Sequence, residues 1–375
     1  MLRCSAVRAD LLVVLALLGT WLFVVDAEGL PRGGRIIGAY GNWGQCDEQM
    51  VQVVRDGANV LFWFAAHLVS DSDGKPIIAT GLNLQCIANV SGTLKSHGLA
   101  TTHLLSIGGW CGAHPDVKWS GAQWFATFDA WNRRSSGTGA PLFDGFDWDV
   151  EGCTEKSWAS LEVLSVMGEM SVAAKASGYI VAMAPAQSYL DVETSEFNLA
   201  LNNPPVASWN ADFHYHGRNT YAYLLARFGT DTFDLVSIQL YESWSAAHHA
   251  ITNQSVPFEE YLERWVDRLS KGWLVNFSSV GVGPKRIAVS PDKLIVGVHV
   301  DMPHGLPEKV LKVTPLQLQS AWSRLERRKQ GHAPRGVMFW CVACGDSSNL
   351  TTSLNSFLLT RASSYRPQAS TLLFP

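Results

Sequence analysis

Three features of the chain predict an α/β fold built as a single (β/α)8 barrel of the TIM type. About eight short runs rich in β-branched and aromatic residues alternate with helix-length segments, which is the rhythm of βα units on a parallel sheet. The chain has 375 residues, 47% of them hydrophobic, enough for one large core. No G-x-G-x-x-G follows the first run, so the competing open doubly wound sheet lacks its phosphate-binding fingerprint. No internal repeat or low-complexity linker divides the chain.

Taken in order, the chain begins with a targeting segment. Arg3 and Arg8 precede the apolar run 11–25, and Val25-Asp26-Ala27 offers small residues for cleavage. Asp10 and Asp26 flank the run, which is short for a bilayer, so residues 1–27 read as a signal peptide rather than an anchor. The barrel is expected over 33–363. Its strands are expected at 35–40, 59–64, 102–107, 143–151, 179–184, 235–241, 294–298 and 336–340. Helices are expected at 48–55, 123–134, 156–177, 258–274, 315–329 and about 350–360. Residues 364–375 lack periodicity and read as a loose tail.

Composition narrows the function. A net charge of -4 with no long basic run gives no reason to expect a nucleic-acid partner. The 15 Trp residues suit stacking on sugar rings, although most are expected in the core. Of the 7 Cys, Cys4 leaves with the signal peptide. Cys46, Cys86, Cys111, Cys153, Cys341 and Cys344 remain, an even set that suggests disulfides in a secreted chain. Cys111 and Cys153 follow neighbouring strands, so a bond between them is expected at the rim; the other pairings stay open. The sequons at Asn89, Asn253, Asn276 and Asn349 agree with secretion. Cys341-x-x-Cys344 has no second pair at zinc spacing, so neither metal nor cofactor is expected. An extracellular monomer, free of the membrane once the signal is removed, follows from the same reading.

The stretch from Phe143 to Gly152 carries the chemistry. In a strand, successive side chains face opposite ways, so Asp147, Asp149 and Glu151 share one face and Phe146, Trp148 and Val150 the other. Burying the aromatic face against helices aims three carboxyls into the barrel. Such neighbours cannot all ionise freely, so at least one pKa should rise, as a general acid requires. An exposed acidic strand or a cation site is the competing reading, but the apolar even positions are unlike a calcium loop.

These residues resemble the catalytic strand of family 18 glycoside hydrolases, the chitinases and endo-β-N-acetylglucosaminidases. The family pattern Asp-x-x-Asp-x-Asp-x-Glu is met by Asp144, Asp147, Asp149 and Glu151. Ser106-x-Gly108-Gly109 resembles its third-strand signature. Met183, Gln239 and Tyr241 resemble its sugar-contacting residues, Trp340 the tryptophan under its cleavage subsite, and Tyr40 and Phe64 its first- and second-strand aromatics. The resemblance implies that Glu151 protonates the glycosidic oxygen while the substrate's 2-acetamido oxygen attacks the anomeric carbon. Asp149 would hold the acetamido N–H, Asp147 would share a proton or hydrogen bond with Asp149, and Tyr241 would position the acetamido oxygen. Asp144, of opposite parity, is expected to support the strand's start. The implied partner is chitin or another N-acetylglucosamine-containing polysaccharide, the chitobiose core of an N-glycan included.

Two other classes compete. A lectin on the same barrel is one, although non-catalytic relatives lose the acid that Glu151 provides here. Metal-dependent deacetylation is the other, but His248-His249 and His214-x-His216 lack carboxylates at ligand spacing and read as surface or loop residues. The segment 301–335 is too short for the subdomain that walls some chitinase clefts, which implies an open groove and endo action. The longer segment 187–223 is the element that could close over the groove instead.

Overall fold

The computed structural model describes residues 29–31, 34–99, 101–152, 158–200, 217–241, 245–300, 310–327 and 333–359. Within these, the elements run β1 (Ile36–Tyr40), α1 (Glu48–Arg55), β2 (Val60–Ser70), β3 (Pro76–Thr80), α2 (Leu84–Ser96), β4 (Thr102–Gly109), α3 (Gly121–Ser135) and β5 (Gly145–Val150). They continue with α4 (Leu161–Ala176), β6 (Ile180–Met183), α5 (Thr220–Phe228), β7 (Leu235–Gln239), α6 (Ala246–His248) and α7 (Phe258–Lys271). The last are β8 (Trp273–Phe277), β9 (Gly283–Ile287), β10 (Leu294–His299), α8 (Pro315–Glu326), β11 (Gly336–Trp340) and α9 (Ser347–Leu358).

Eight parallel strands, β1, β2, β4, β5, β6, β7, β10 and β11, pair in that order, and β11 pairs back onto β1 to close the barrel. The eight expected strands are these eight. Closure pairs each of the eight barrel strands on both sides, and strand parity divides the core in two. Outward side chains such as Phe146, Trp148, Val181 and Met183 pack with Trp124 and Phe128 beneath the helices. Inward ones such as Tyr40, Phe62, Leu104, Ala182 and Met338 fill the lumen.

Local chemistry sets the helix starts. Asp47 caps α1 by accepting from the Gln49 N–H. Ser120 with Gln123 and Thr314 with Gln317 form reciprocal capping boxes on α3 and α8. One helix end departs from expectation. The segment 258–274 is not helical throughout, because Gly272, at φ 78°, stops α7, and Trp273 and Leu274 open β8. Three more features are additional to the sequence reading. β2 runs past Phe64 to Ser70 and pairs antiparallel with β3, β8 and β9 form a separate hairpin, and α2 and α5 are helices.

At the start of β4, the Trp63 indole N–H donates to His103 Nδ1 at 3.1 Å. Asp144 Oδ2 accepts the His103 backbone N–H at 2.7 Å. His103 is buried, and that burial, helped by the charge of Lys95, pushes its pKa from 6.5 down to about 4. Between those values the unfolded chain takes up a proton that the folded imidazole refuses. Stability held above the upper value is therefore lost as pH falls toward the lower, by about 3 kcal/mol in all. The His103→Gln variant keeps an acceptor for Trp63 but does not titrate. Urea unfolding at pH 7 and pH 4.5 should show a larger acid loss in the wild type than in this variant.

Candidate active site

β5 delivers the acidic face to the C-terminal end of the barrel, where barrel active sites are built. Asp147, Asp149 and Glu151 are all buried. Asp147 Oδ2 accepts the Tyr40 hydroxyl at 2.6 Å and the Ser106 hydroxyl at 3.1 Å, which ties β5 to β1 and β4 through the lumen. Burial drives the Asp147 pKa up to about 7, and the two hydroxyl bonds offset only part of that rise. Glu151 is raised as well, chiefly by burial, against hydrogen bonds from Asp149 and Gln239 that favour its charged form. Gln239 Nε2 lies 2.9 Å from Asp149 Oδ1 and 2.6 Å from Glu151 Oε1.

Gly108 pairs with Asp149 in register, at φ 115°. A Cβ there would sit 2.5 Å from the Asp149 carbonyl oxygen, so only glycine lets the strands run this close. A Cβ on Gly109 would fall 2.2 Å from the Phe64 ring. The space left open is filled by an aromatic group: Tyr40 stacks on Phe62 at 4.3 Å, and Trp340 meets Phe64 at 4.7 Å and Tyr40 at 6.0 Å. Trp43, 52% exposed, packs edge-on to Phe64 at 4.4 Å and continues this group into solvent. Tyr241 stands beside the cluster, edge to face with His299 at 5.6 Å.

The structure thus brings together Tyr40, Phe64, Ser106, Gly108, Gly109, Asp147, Asp149, Glu151, Gln239, Tyr241 and Trp340 at one end of the barrel. Met183 is a correction. It belongs to the outward set of β6 and packs beneath the helices, while Ala182 and Ala184 face the lumen, so it cannot line a sugar site. Asp144 lies at the other end of β5, on the His103 backbone. His248 is buried, not at the surface, with its backbone N–H on Ser245. Cys46 bonds Cys86 and Cys341 bonds Cys344. Cys111 is disulfide-bonded; Cys153, its expected partner, lies outside the described residues. Residues 1–28, 201–216, which include His214 and His216, 301–309 and 360–375 also lie outside them.

Sequence reasoning missed the braces behind the acid strand. The Tyr221 hydroxyl accepts the Val150 N–H at 2.9 Å and donates to the Val150 carbonyl at 3.1 Å. The Tyr189 hydroxyl accepts the Gly152 N–H at 3.1 Å, and the two phenol rings stack at 5.5 Å. His114 Nε2 lies 3.0 Å from the Glu151 carbonyl oxygen. Tyr221 sits on α5, a helix the sequence reading did not find, and no motif marks any of the three.

Fold and site define a class, a closed (β/α)8 barrel with a buried acid cluster at the C-terminal ends of its strands. No protein-family model and no curated protein matches the chain. Solved structures do. A GH18 chitinase from Pseudoalteromonas aurantia aligns at 13% identity over 86% of this chain and 100% of its own, with a TM-score of 0.52. A fungal endo-β-N-acetylglucosaminidase of glycosyl hydrolase family 18 aligns at 14% identity over 88% and 99%, with a TM-score of 0.50. The xylanase and α-amylase inhibitor protein XAIP-II from Scadoxus multiflorus aligns at 13% identity over 86% and 99%, also at 0.50. The chain has the barrel fold of family 18 glycoside hydrolases, and that fold also serves an inhibitor.

The raised Asp147 pKa has a stability consequence of the opposite sign to that of His103. The folded carboxyl holds its proton up to about 7, against 3.8 when unfolded. The associated stability is fully present below the lower value and lost as pH rises through the upper, at most about 4 kcal/mol. Asp147→Asn keeps an acceptor for Tyr40 and Ser106 without a charge to bury. Thermal unfolding should find this variant more stable than wild type at pH 8, with the advantage shrinking toward pH 4.

Proposed function

We propose that the protein is a family 18 glycoside hydrolase, a secreted enzyme that cleaves β-1,4-linked N-acetylglucosamine polymers with retention of configuration. The observation that carries this reading is the single buried face of Asp147, Asp149 and Glu151, with Glu151 raised toward the protonated form a general acid needs and Tyr241 alongside. In this reading Glu151 gives its proton to the glycosidic oxygen as that bond breaks. The substrate's acetamido oxygen closes on the anomeric carbon, giving an oxazolinium ion. Asp149 accepts the acetamido N–H and offsets the developing positive charge, while Tyr241 holds the acetamido oxygen in attack geometry. Water, activated by Glu151 now acting as base, then opens the ring and restores the acid. The aromatic group from Trp340 to Trp43 offers faces on which sugar rings can stack.

The barrel by itself does not select catalysis over binding, since an inhibitor shares it. The intact acid face favours the enzyme over a lectin. Endo action rests on chain length: β10 ends at His299 and α8 starts at Pro315, too short a span for an inserted wall.

Purified protein should hydrolyse chitooligosaccharides, and Glu151→Gln should lower turnover by at least ~10³-fold while leaving oligosaccharide affinity largely intact. Near-wild-type turnover in that variant would falsify the assignment. Proton NMR at early times should show the β-anomer as first product, and a glucose polymer without acetamido groups should not be cut. Parallel digestion of a high-mannose glycoprotein distinguishes an N-glycan substrate from chitin.

A further inference from the structure

Gln239 is committed to the carboxyls of the site in a way that sets their protonation. It lies on β7 with 2% of its surface exposed. Three acceptors stand within hydrogen-bond distance of its Nε2: Ala184 O at 2.8 Å, Asp149 Oδ1 at 2.9 Å and Glu151 Oε1 at 2.6 Å. An amide has two N–H groups. The Ala184 carbonyl is an acceptor at every pH and engages one of them. The other faces two carboxyl oxygens at once.

One N–H between two carboxyls suits one total charge. With both carboxyls ionised, one N–H stands between two adjacent buried anions, and the hydrogen bond between Asp149 and Glu151 is lost for want of a proton. With both protonated, the donor faces oxygens that no longer carry a charge, and a charge-assisted bond is forfeited. With one proton on the pair, the single negative charge spreads over the two oxygens that the N–H addresses. We propose that Gln239 is a positioning residue that holds Asp149 and Glu151 as a singly protonated pair across neutral pH, rather than a contact for the sugar. The proposal rests on the hydrolase reading of the site, in which the pair must keep one proton to donate and one charge to stabilise the oxazolinium ion.

Other titratable groups face the pair from every side. Asp147 and Tyr40 lie beneath it on β5 and β1, Tyr241, just past the end of β7, stands beside it with its neighbour His299 of β10, Tyr189 and Tyr221 brace the strand, and His114 lies on the Glu151 carbonyl. A substitution at Gln239 alters none of them, so their influence cancels in a comparison with wild type.

Gln239→Met keeps the length of the side chain and removes both donors, and Gln239→Glu adds a third carboxyl. Each should raise both titration steps of the pair, because the ionised forms lose a donor. A shift of about one pH unit is expected for Gln239→Met and more for Gln239→Glu. The primary measurement is a ¹³C-carboxyl NMR titration of the full chain, with Asp149→Asn and Glu151→Gln identifying the signals. In parallel, the alkaline limb of kcat/KM on chitooligosaccharides should move up by the same amount. Unmoved NMR midpoints in both variants overturn the proposal. So does a loss of kcat at every pH with the limbs in place, the mark of a merely structural role, or a raised KM with unmoved limbs, the mark of a sugar contact. Should the wild type cut no N-acetylglucosamine polymer, the hydrolase reading fails, while the NMR titration still decides the role of Gln239.

Discussion

The burial of three carboxyls on one face of β5 is the constraint on which the rest of the structure turns. A carboxylate in an apolar lumen is costly unless donors reach it or it keeps its proton. Both solutions are used at once. Asp147 receives hydroxyls from β1 and β4, and the next two carboxyls receive an amide from β7. None of these donors lies on β5 itself. These hydrogen bonds therefore form only when the barrel has closed, and tertiary structure sets the protonation of the cluster.

That dependence explains what the sequence could and could not show. The period-two alternation of Phe146 to Glu151 needs only the strand, so the acidic face was legible before any fold was known. The eight strands were legible for the same reason, each being a short apolar run with helical segments on either side. Met183 shows the limit of reasoning by resemblance. Its motif position suggested a sugar contact, but the alternation along β6 places Ala182 and Ala184 in the lumen and turns Met183 outward. Counting parity from Ile180 would have found this, because the next even residue in that strand faces inward with it.

The braces were not legible, for a different reason. Tyr189 and Tyr221 reach β5 through hydroxyl bonds to backbone at Gly152 and Val150, and backbone partners leave no trace in side-chain patterning. α5 was missed with them, since it begins only at the end of the long 187–223 segment and runs on to Phe228, and most of that segment has no helical period. The 272–274 region was misread because Trp273 and Leu274 continue the apolar content of α7. Only the left-handed conformation at Gly272 separates helix from strand there.

The two ends of β5 divide stability from chemistry. At the N-terminal end Asp144 accepts a backbone N–H from β4, beside a buried histidine that favours the neutral form. At the C-terminal end, burial favours proton-bearing carboxyls. The first arrangement resists acid poorly and the second resists base poorly, so the fold is squeezed from both sides of neutrality. Losses at the Asp144 end are costs of packing a strand start and bring nothing to the cleft. In the proposed hydrolase, losses at the Glu151 end are inseparable from function, because the burial that penalises the ionised acid is also what keeps the proton it would give to a leaving group. In that reading a stabilising substitution at the carboxyl end trades against proton donation, whereas one at His103 does not.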